Sequence, residues 1–232
     1  MHLFYCPELA DGRMALPEEE AHHAAAVLRL KADDRIGLLN GKGLRAEAEL
    51  VEVGKRGCTA QVLTITSVPA ERTASIHIAV ALTKQADRIE WFVEKAVELG
   101  VDRITPLLTQ RTERMRLKSE RLERVAIAAM KQSQRAWLPR IDAIASLADL
   151  LKEPVPAQRF FGWCEGMHAP LMKAYDPGAD ALVLIGPEGD FTPEEAMLLR
   201  DNGFNAVSLG AARLRTETAA LAACAWMSLR QG

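Results

Sequence analysis

The chain has 232 residues, 49% of them hydrophobic and 26% charged, with a formal net charge of −2. That is enough apolar material for one large domain or a small and a medium one, and the charge balance leaves a polyanionic partner to be met only by a local patch. The four cysteines and five histidines show no CxxC or ligand spacing, so no metal site is expected and the thiols are expected to be reduced. MHLFYCPEL has no basic region ahead of an apolar stretch, and no run reaches about 18 apolar residues, so a cytoplasmic protein without membrane spans is expected.

The first 70 residues differ in character from the rest. A helix is expected over 18–30, and beyond it RIGLLNGKGLRAEAELVEVGKRGCTAQVLTI carries short, partly alternating runs broken by Asn40-Gly41, Gly43, Gly54 and Gly57. Asn-Gly between such runs is a hairpin signal, so a small antiparallel sheet or barrel is expected here. His22 and His23 are neighbours on the helix and point differently, so at least one is expected to be a packing residue. Residues 67–75, polar with one proline, read as a linker that divides the chain into 1–70 and 71–232. From Ser75 strands and helices alternate. SIHIAVAL is a strand; DRIEWFVEKAVELG places Ile89, Phe92, Val93, Ala96 and Val97 on one helix face, and Gly100 stops that helix before the strand VDRITPLL. A second long helix is expected over 119–137, then strands at RFFGW, ALVLIG and AVSLG and helices at TPEEAMLLRDNG and ETAALAACAWMSL. This alternation implies an α/β domain with a mostly parallel sheet covered on both faces.

Two loops near the C-terminus carry the functional reading. In LIGPEGDFTPEE, residues 184–195, an apolar run ends at Gly186, and a helix opens with Thr192 as cap, Pro193 as first helical residue and Glu195 closing a capping box. Neither GxxxxGK[ST] nor GxGxxG is present, and taken alone an ordinary glycine turn explains the segment equally well. In LGAARLRTETAALAA, residues 209–223, a glycine again follows a strand, and Thr216, Glu217 and Thr218 stand where a helix begins. A threonine there normally caps, and an acid complements the helix dipole. Parallel sheets bind ligands outside the carboxyl ends of their strands, so the two loops are placed to form two walls of one site.

IGPEGDFTPEE followed by LGAARLRTETAA resembles the knot motifs of the SPOUT-class uracil-N3 methyltransferases that act on small-subunit (16S) ribosomal RNA. HHAAAVLRL, EKAVELGVDRITPLLTQRT and KQSQRAWLP match upstream and in order, so the resemblance spans nearly the whole chain. It implies a PUA-like β-barrel followed by a SPOUT α/β domain whose C-terminal segment forms a deep trefoil knot. It also implies a homodimer that uses S-adenosyl-L-methionine and acts on small-subunit rRNA or the assembled 30S subunit, with no membrane and no metal. Carried onto this chain, the resemblance implies cofactor binding by Ile185, Gly186, Pro187, Glu188 and Gly189, by Leu209 and Gly210, and by Leu214, Arg215, Thr216 and Thr218. The glycines would let main chain touch the cofactor, and Glu188 would brace its loop or favour the sulfonium.

The catalytic candidates under the same resemblance are Arg215, Arg213 and Glu217. Arg215 would stabilise charge on the uracil oxygens or pair with Glu217; the knot motifs hold no histidine, so no base for the N3 proton is named, and Glu217 is only a weak candidate. The commoner family pattern has Gly where Asp190 stands and Arg where Ala212 stands, which leaves either Arg213 or Arg215 to face the substrate; Asp190 is expected to cap the following helix. For RNA contact, residues 103–140 hold ten Lys or Arg against three Asp or Glu, a stripe suited to phosphates. Arg111, Arg114, Arg116, Lys131 and Arg135 are the candidates, joined by Arg29 and Lys31, whereas Arg121 and Arg124 beside Glu120 and Glu123 read as a solvated face. The alternatives are a catalytically altered RNA-binding or ribosome-assembly protein, and a SPOUT ribose 2′-O-methyltransferase, whose early pairing of an Asn with an Arg is not the arrangement found in ALTKQADRIEW.

Overall fold

The structure, a computed structural model, describes residues 1–54, 57–113 and 117–232. Contacts group them into two compact units, Met1–Glu71 with Ile127–Leu138, and Arg72–Ala126 with Pro139–Gly232. The first unit holds β1 (Leu3–Tyr5), β2 (Arg13–Ala15), α1 (Glu18–His22), β3 (Arg35–Leu39), β4 (Leu44–Gly54) and β5 (Gly57–Ser67) in a five-stranded sheet ordered β1-β3-β4-β5-β2. The β3–β4 hairpin turns at Asn40-Gly41 as expected. Asn40 is buried, and its Oδ1 accepts from the N–H groups of Lys42 and Leu44, each at 2.8 Å, which satisfies the turn's own donors. The sheet is antiparallel apart from the β1–β3 pair, which is parallel. Phe4, Ile36, Leu38 and Leu50 lie fully buried in its core.

The helix expected over 18–30 is shorter. α1 passes into a π-helical turn over His23–Val27, where the Leu28 N–H bonds the His23 carbonyl at 3.0 Å, and Arg29 at φ 55° turns the chain away. His22 is exposed, while His23 packs edge-on against Phe4 with ring centroids 6.0 Å apart.

The second unit contains β6 (Ile76–Ala81), α2 (Ala86–Glu98), β7 (Arg103–Leu108) and the start of α3 (Ser119–Gln132). β8 (Arg140–Ile141), β9 (Ala145–Ser146), α4 (Leu147–Leu150), β10 (Gln158–Gly162) and α5 (Leu171–Ala174) follow, then β11 (Ala181–Ile185), α6 (Pro193–Asp201), β12 (Asn205–Val207) and α7 (Thr216–Gln231). The seven-stranded sheet runs β12-β10-β11-β6-β7-β8, with β9 also on β7, and every pair is parallel. β6 and β11 are central and buried throughout, which is why their sequences are near-continuous apolar runs rather than alternating ones.

α2 buries Ile89, Phe92, Val93, Ala96 and Val97, the expected stripe. It ends in a Schellman closure: Gly100, at φ 76°, donates to the Val97 carbonyl and Val101 donates to that of Ala96, both at 2.9 Å. α3 ends in the same way but at Gln132, five residues short of the expected Trp137. Gln134 takes the left-handed place at φ 58°, and the Arg135 N–H reaches the Met130 carbonyl at 3.0 Å.

Candidate active site

β12, β10 and β11 are neighbours in the sheet, and the chain leaving the carboxyl end of each lines one cleft of about 750 Å³. That volume falls within the roughly 300–1,000 Å³ of small-molecule sites. The loop after β11 is set by α6. Thr192 is its cap and Glu195 completes the capping box: Thr192 Oγ1 accepts from the Glu195 N–H at 3.2 Å, and Glu195 Oε2 accepts from the Thr192 N–H at 2.9 Å. The other oxygen, Oε1, accepts from the Gln110 N–H at 2.8 Å, so a buried carboxylate fastens this loop to the segment after β7.

Asp190 therefore does not cap α6, because Thr192 already holds that place. It sits at φ 63°, with Oδ1 accepting from the Phe191 N–H at 2.8 Å and Oδ2 accepting from the Cys164 N–H at 3.0 Å. One carboxylate thus closes its own turn and ties the β11 loop to the β10 loop. A side chain at Gly186 would crowd the turn, since a Cβ there would stand 3.1 Å from the Phe191 nitrogen and the loop would have to shift to admit it. The two C-terminal walls meet at this residue: the Thr216 hydroxyl donates to the Gly186 carbonyl at 3.1 Å. Thr216 is consequently not the cap of α7. The cap position belongs to Arg215, whose side chain makes no capping bond.

Of the residues assigned to the cofactor, all but Arg215 and Thr218 line the cleft. Of the three catalytic candidates, Arg213 lines it; Arg215 is exposed outside the lining, and Glu217 is buried behind it. Glu188, on the lining, is paired with Arg88 of α2, whose Nη1 lies 2.5 Å from Glu188 Oε1. Arg111 does not point freely into solvent. Its Nη1 donates to the Gly189 carbonyl at 2.5 Å and to that of Phe191 at 3.2 Å, bracing the β11 loop.

Two contributions escaped the sequence reading. Arg88 looked like one more charge on an amphipathic helix, and nothing local marks it. The third wall, running from Trp163 to His168, was findable, because it follows the carboxyl end of the expected strand RFFGW by the same rule that selected the other two loops. Cys164 in that wall has its thiol pKa raised, by burial first and then by the hydrogen-bonded Asp190 carboxylate, with Arg213 acting the other way.

The basic candidates divide. Arg114 and Arg116 lie outside the described residues. Arg29 and Lys31 are exposed. Lys131 Nζ pairs with Glu20 Oε1 at 2.6 Å and Arg135 Nη2 with Glu71 Oε2 at 2.6 Å, with the two cations' side chains only 19% and 16% exposed. Arg121 bonds Glu90 across to α2 at 2.6 Å.

The fold and cleft are those of an RNA methyltransferase: the model of an RNA methyltransferase domain matches residues 70–228, and that of an RNA methyltransferase PUA domain matches residues 16–63. A probable rRNA-methyltransferase from Porphyromonas gingivalis superposes with a TM-score of 0.92 at 40% identity, covering 100% of this chain and 98% of that one. Ribosomal RNA small subunit methyltransferase E from Neisseria gonorrhoeae, solved bound to S-adenosyl methionine, superposes with a TM-score of 0.89 at 30% identity over 99% and 98% of the two chains. The Aquifex aeolicus protein of that name is 30% identical over 94% of this chain and 95% of its own length. The chain belongs to the ribosomal RNA small subunit methyltransferase E family.

Proposed function

We propose that the chain transfers a methyl group from S-adenosyl-L-methionine to N3 of a uridine in small-subunit (16S) ribosomal RNA. The observation that carries this reading is the cleft at the carboxyl ends of three adjacent parallel strands, with its C-terminal walls joined by the Thr216–Gly186 bond. Its lining fits the cofactor. Ile185, Leu209 and Leu214 offer apolar surface to an adenosine, Gly186 keeps the main chain bare, and Glu188, half exposed, offers a negative group to a cation. Gly210, at φ 112°, holds a conformation that side chains rarely adopt, and a Cβ there would meet no protein atom within 4 Å.

The bound cofactor supplies an electrophilic methyl group on a sulfonium. The chain's own residues align the base and balance the charge that grows on the uracil oxygens as N3 gives up its proton to solvent water. Arg213 lies on the cleft wall, as does Arg111, but Arg111 is committed to the Gly189 and Phe191 carbonyls, so Arg213 takes the role, ahead of Arg215 as well; Glu217, turned toward Arg88, holds position. Arg29 and Lys31 serve as phosphate contacts, while Lys131, Arg135 and Arg111 act first in internal pairing and bracing. In this reading 1–70 is the PUA-like RNA-binding part and 71–232 the methyltransferase part, with its C-terminal segment in a deep trefoil knot. The protein works in the cytoplasm as a homodimer, on rRNA or the assembled 30S subunit.

The test incubates the protein and labelled cofactor with 30S subunits, and with their rRNA, from a strain lacking the gene, followed by digestion to nucleosides. 3-Methyluridine is expected; methyl on ribose, or no transfer to either substrate with cofactor bound, overturns the reading. S-Adenosylhomocysteine is expected to shield Cys164 from alkylation, because that cysteine lines the same cleft. Arg213→Ala is expected to lower kcat about 100-fold, as for loss of one charge-stabilising donor, and Arg215→Ala by less than about tenfold.

A further inference from the structure

Behind the two C-terminal walls stands a third element that the chemistry above does not use. Arg88, in the first turn of α2, is absent from the cleft lining, yet its guanidinium reaches both walls. Nη1 bonds Glu188 Oε1 in the β11 loop at 2.5 Å, and Nε lies 3.9 Å from Glu217 Oε1 in the first turn of α7. The Glu217 side chain is only 9% exposed, and its Oε2 is buried with no hydrogen-bond partner among the described residues. A carboxylate so placed depends on a neighbouring cation, because an uncompensated buried charge is strongly destabilising. The planar guanidinium, with donors in several directions, can serve two carboxylates at once, which a lysine does poorly.

We propose that Arg88 is a positioning residue for the methyl-transfer site: by holding Glu188 and Glu217 together it sets the separation of the two walls that grip the cofactor. The inference rests on the cofactor reading above. The Thr216–Gly186 bond joins the walls at one point, and the Arg88 fork joins them at a second. Two points of attachment leave the walls less freedom to move apart than one does. Glu188 is thereby assigned a fixed place in the lining rather than a freely moving charge.

Calorimetric titration with S-adenosylhomocysteine tests this on wild type, Arg88→Gln, Arg88→Lys, Glu188→Gln and the Arg88→Gln/Glu188→Gln pair. Arg88→Gln is expected to weaken binding about tenfold, the scale of one charge-assisted hydrogen bond, with Arg88→Lys recovering part of the loss. In the Glu188→Gln background the effect of Arg88→Gln is expected to shrink below threefold, because residues acting as a unit are non-additive. An Arg88→Gln protein that melts earlier but binds within twofold of wild type overturns the proposal, since Arg88 is then only structural. A fully additive pair overturns it as well. Should Arg88→Gln fail to fold, Glu217→Gln removes the unpaired buried charge, and the same comparison is made in that background. Wild type that does not bind overturns the cofactor reading itself, a result separate from any behaviour of Arg88.

Discussion

At Asp190 the main chain takes φ 63°, a conformation that costs an ordinary L residue about 1–2 kcal/mol and that Asp tolerates best when its side chain bonds nearby main chain. Here it does so twice, to the N–H groups of Phe191 and Cys164. A glycine at this position would supply the same turn without strain but could not tie the β11 loop to the β10 loop. Asp190→Gly therefore exchanges two hydrogen bonds for relief of strain, whereas Asp190→Ala loses the bonds and keeps the strain. By urea unfolding, Asp190→Ala is expected to destabilise by about 2 kcal/mol and Asp190→Gly by about 1 kcal/mol. A ranking with glycine worse than alanine would mean that the left-handed turn is not what the position demands. Both variants are expected to alkylate faster at Cys164 near neutral pH, because the carboxylate that helps hold the thiol protonated is gone.

Helix α6 shows how one element can position a site it does not enter. Its capping residues were legible because Thr192, Pro193 and Glu195 act within one turn of chain. What could not be read is that Glu195 also accepts the Gln110 N–H, a contact spanning 85 positions. Glu195→Ala orphans the N–H groups of Thr192 and Gln110 together, so a loss of about 2–3 kcal/mol is expected, against about 1 kcal/mol for Thr192→Ala. Chemical denaturation of the two variants side by side gives the comparison; equal losses would show that the Gln110 contact adds nothing. The same local rule accounts for the other outcomes. The end of α2 was readable because a glycine marks it, and the end of α3 was not, because a glutamine stands in the left-handed place. Thr216 read as a cap because that is the common local use, and its bond to Gly186, thirty positions away, leaves no trace nearby. Arg88 is further still from Glu188, 100 positions along the chain, so the strut between walls was invisible although both walls were found.

Across the whole catalytic unit, the parallel sheet separates two kinds of polar chemistry. The cleft occupies the carboxyl ends of β10, β11 and β12, while a buried ionic cluster lies toward the amino ends of β6, β7 and β8. There His77 Nε2 is 2.7 Å from the Thr105 hydroxyl, Thr105 donates in turn to Asp142, and Arg103 Nε bonds Asp142 at 2.6 Å. Arg140 Nε stands 2.7 Å from the other Asp142 oxygen, and Arg103 also reaches Glu153 at 2.6 Å. Burial, followed by the charge of Arg103, lowers the His77 pKa from 6.5 to about 4, with Asp142 opposing and Arg140 adding to the shift. For Asp142, burial acts upward, but the bonds from Thr105 and Arg103 outweigh it and hold the carboxyl below its ordinary value. As pH falls, the unfolded chain protonates His77 first, so the stability that this neutral histidine confers is whole above about pH 6.5 and declines toward pH 4. The Asp142 contribution persists further, being lost only as pH falls through its depressed folded value. Between these limits the slope belongs to His77 rather than to Asp142. Unfolding free energy is expected to fall by about 2.5 kcal/mol from pH 7 to pH 4.5 on account of His77 alone, and His77→Gln is expected to flatten that part of the profile. The same variant should bind S-adenosylhomocysteine as wild type does, because the cluster sits toward the other ends of the strands. A profile equally steep in both proteins would show that the folded protein accepts a proton at His77 and that the buried cluster does not hold it neutral.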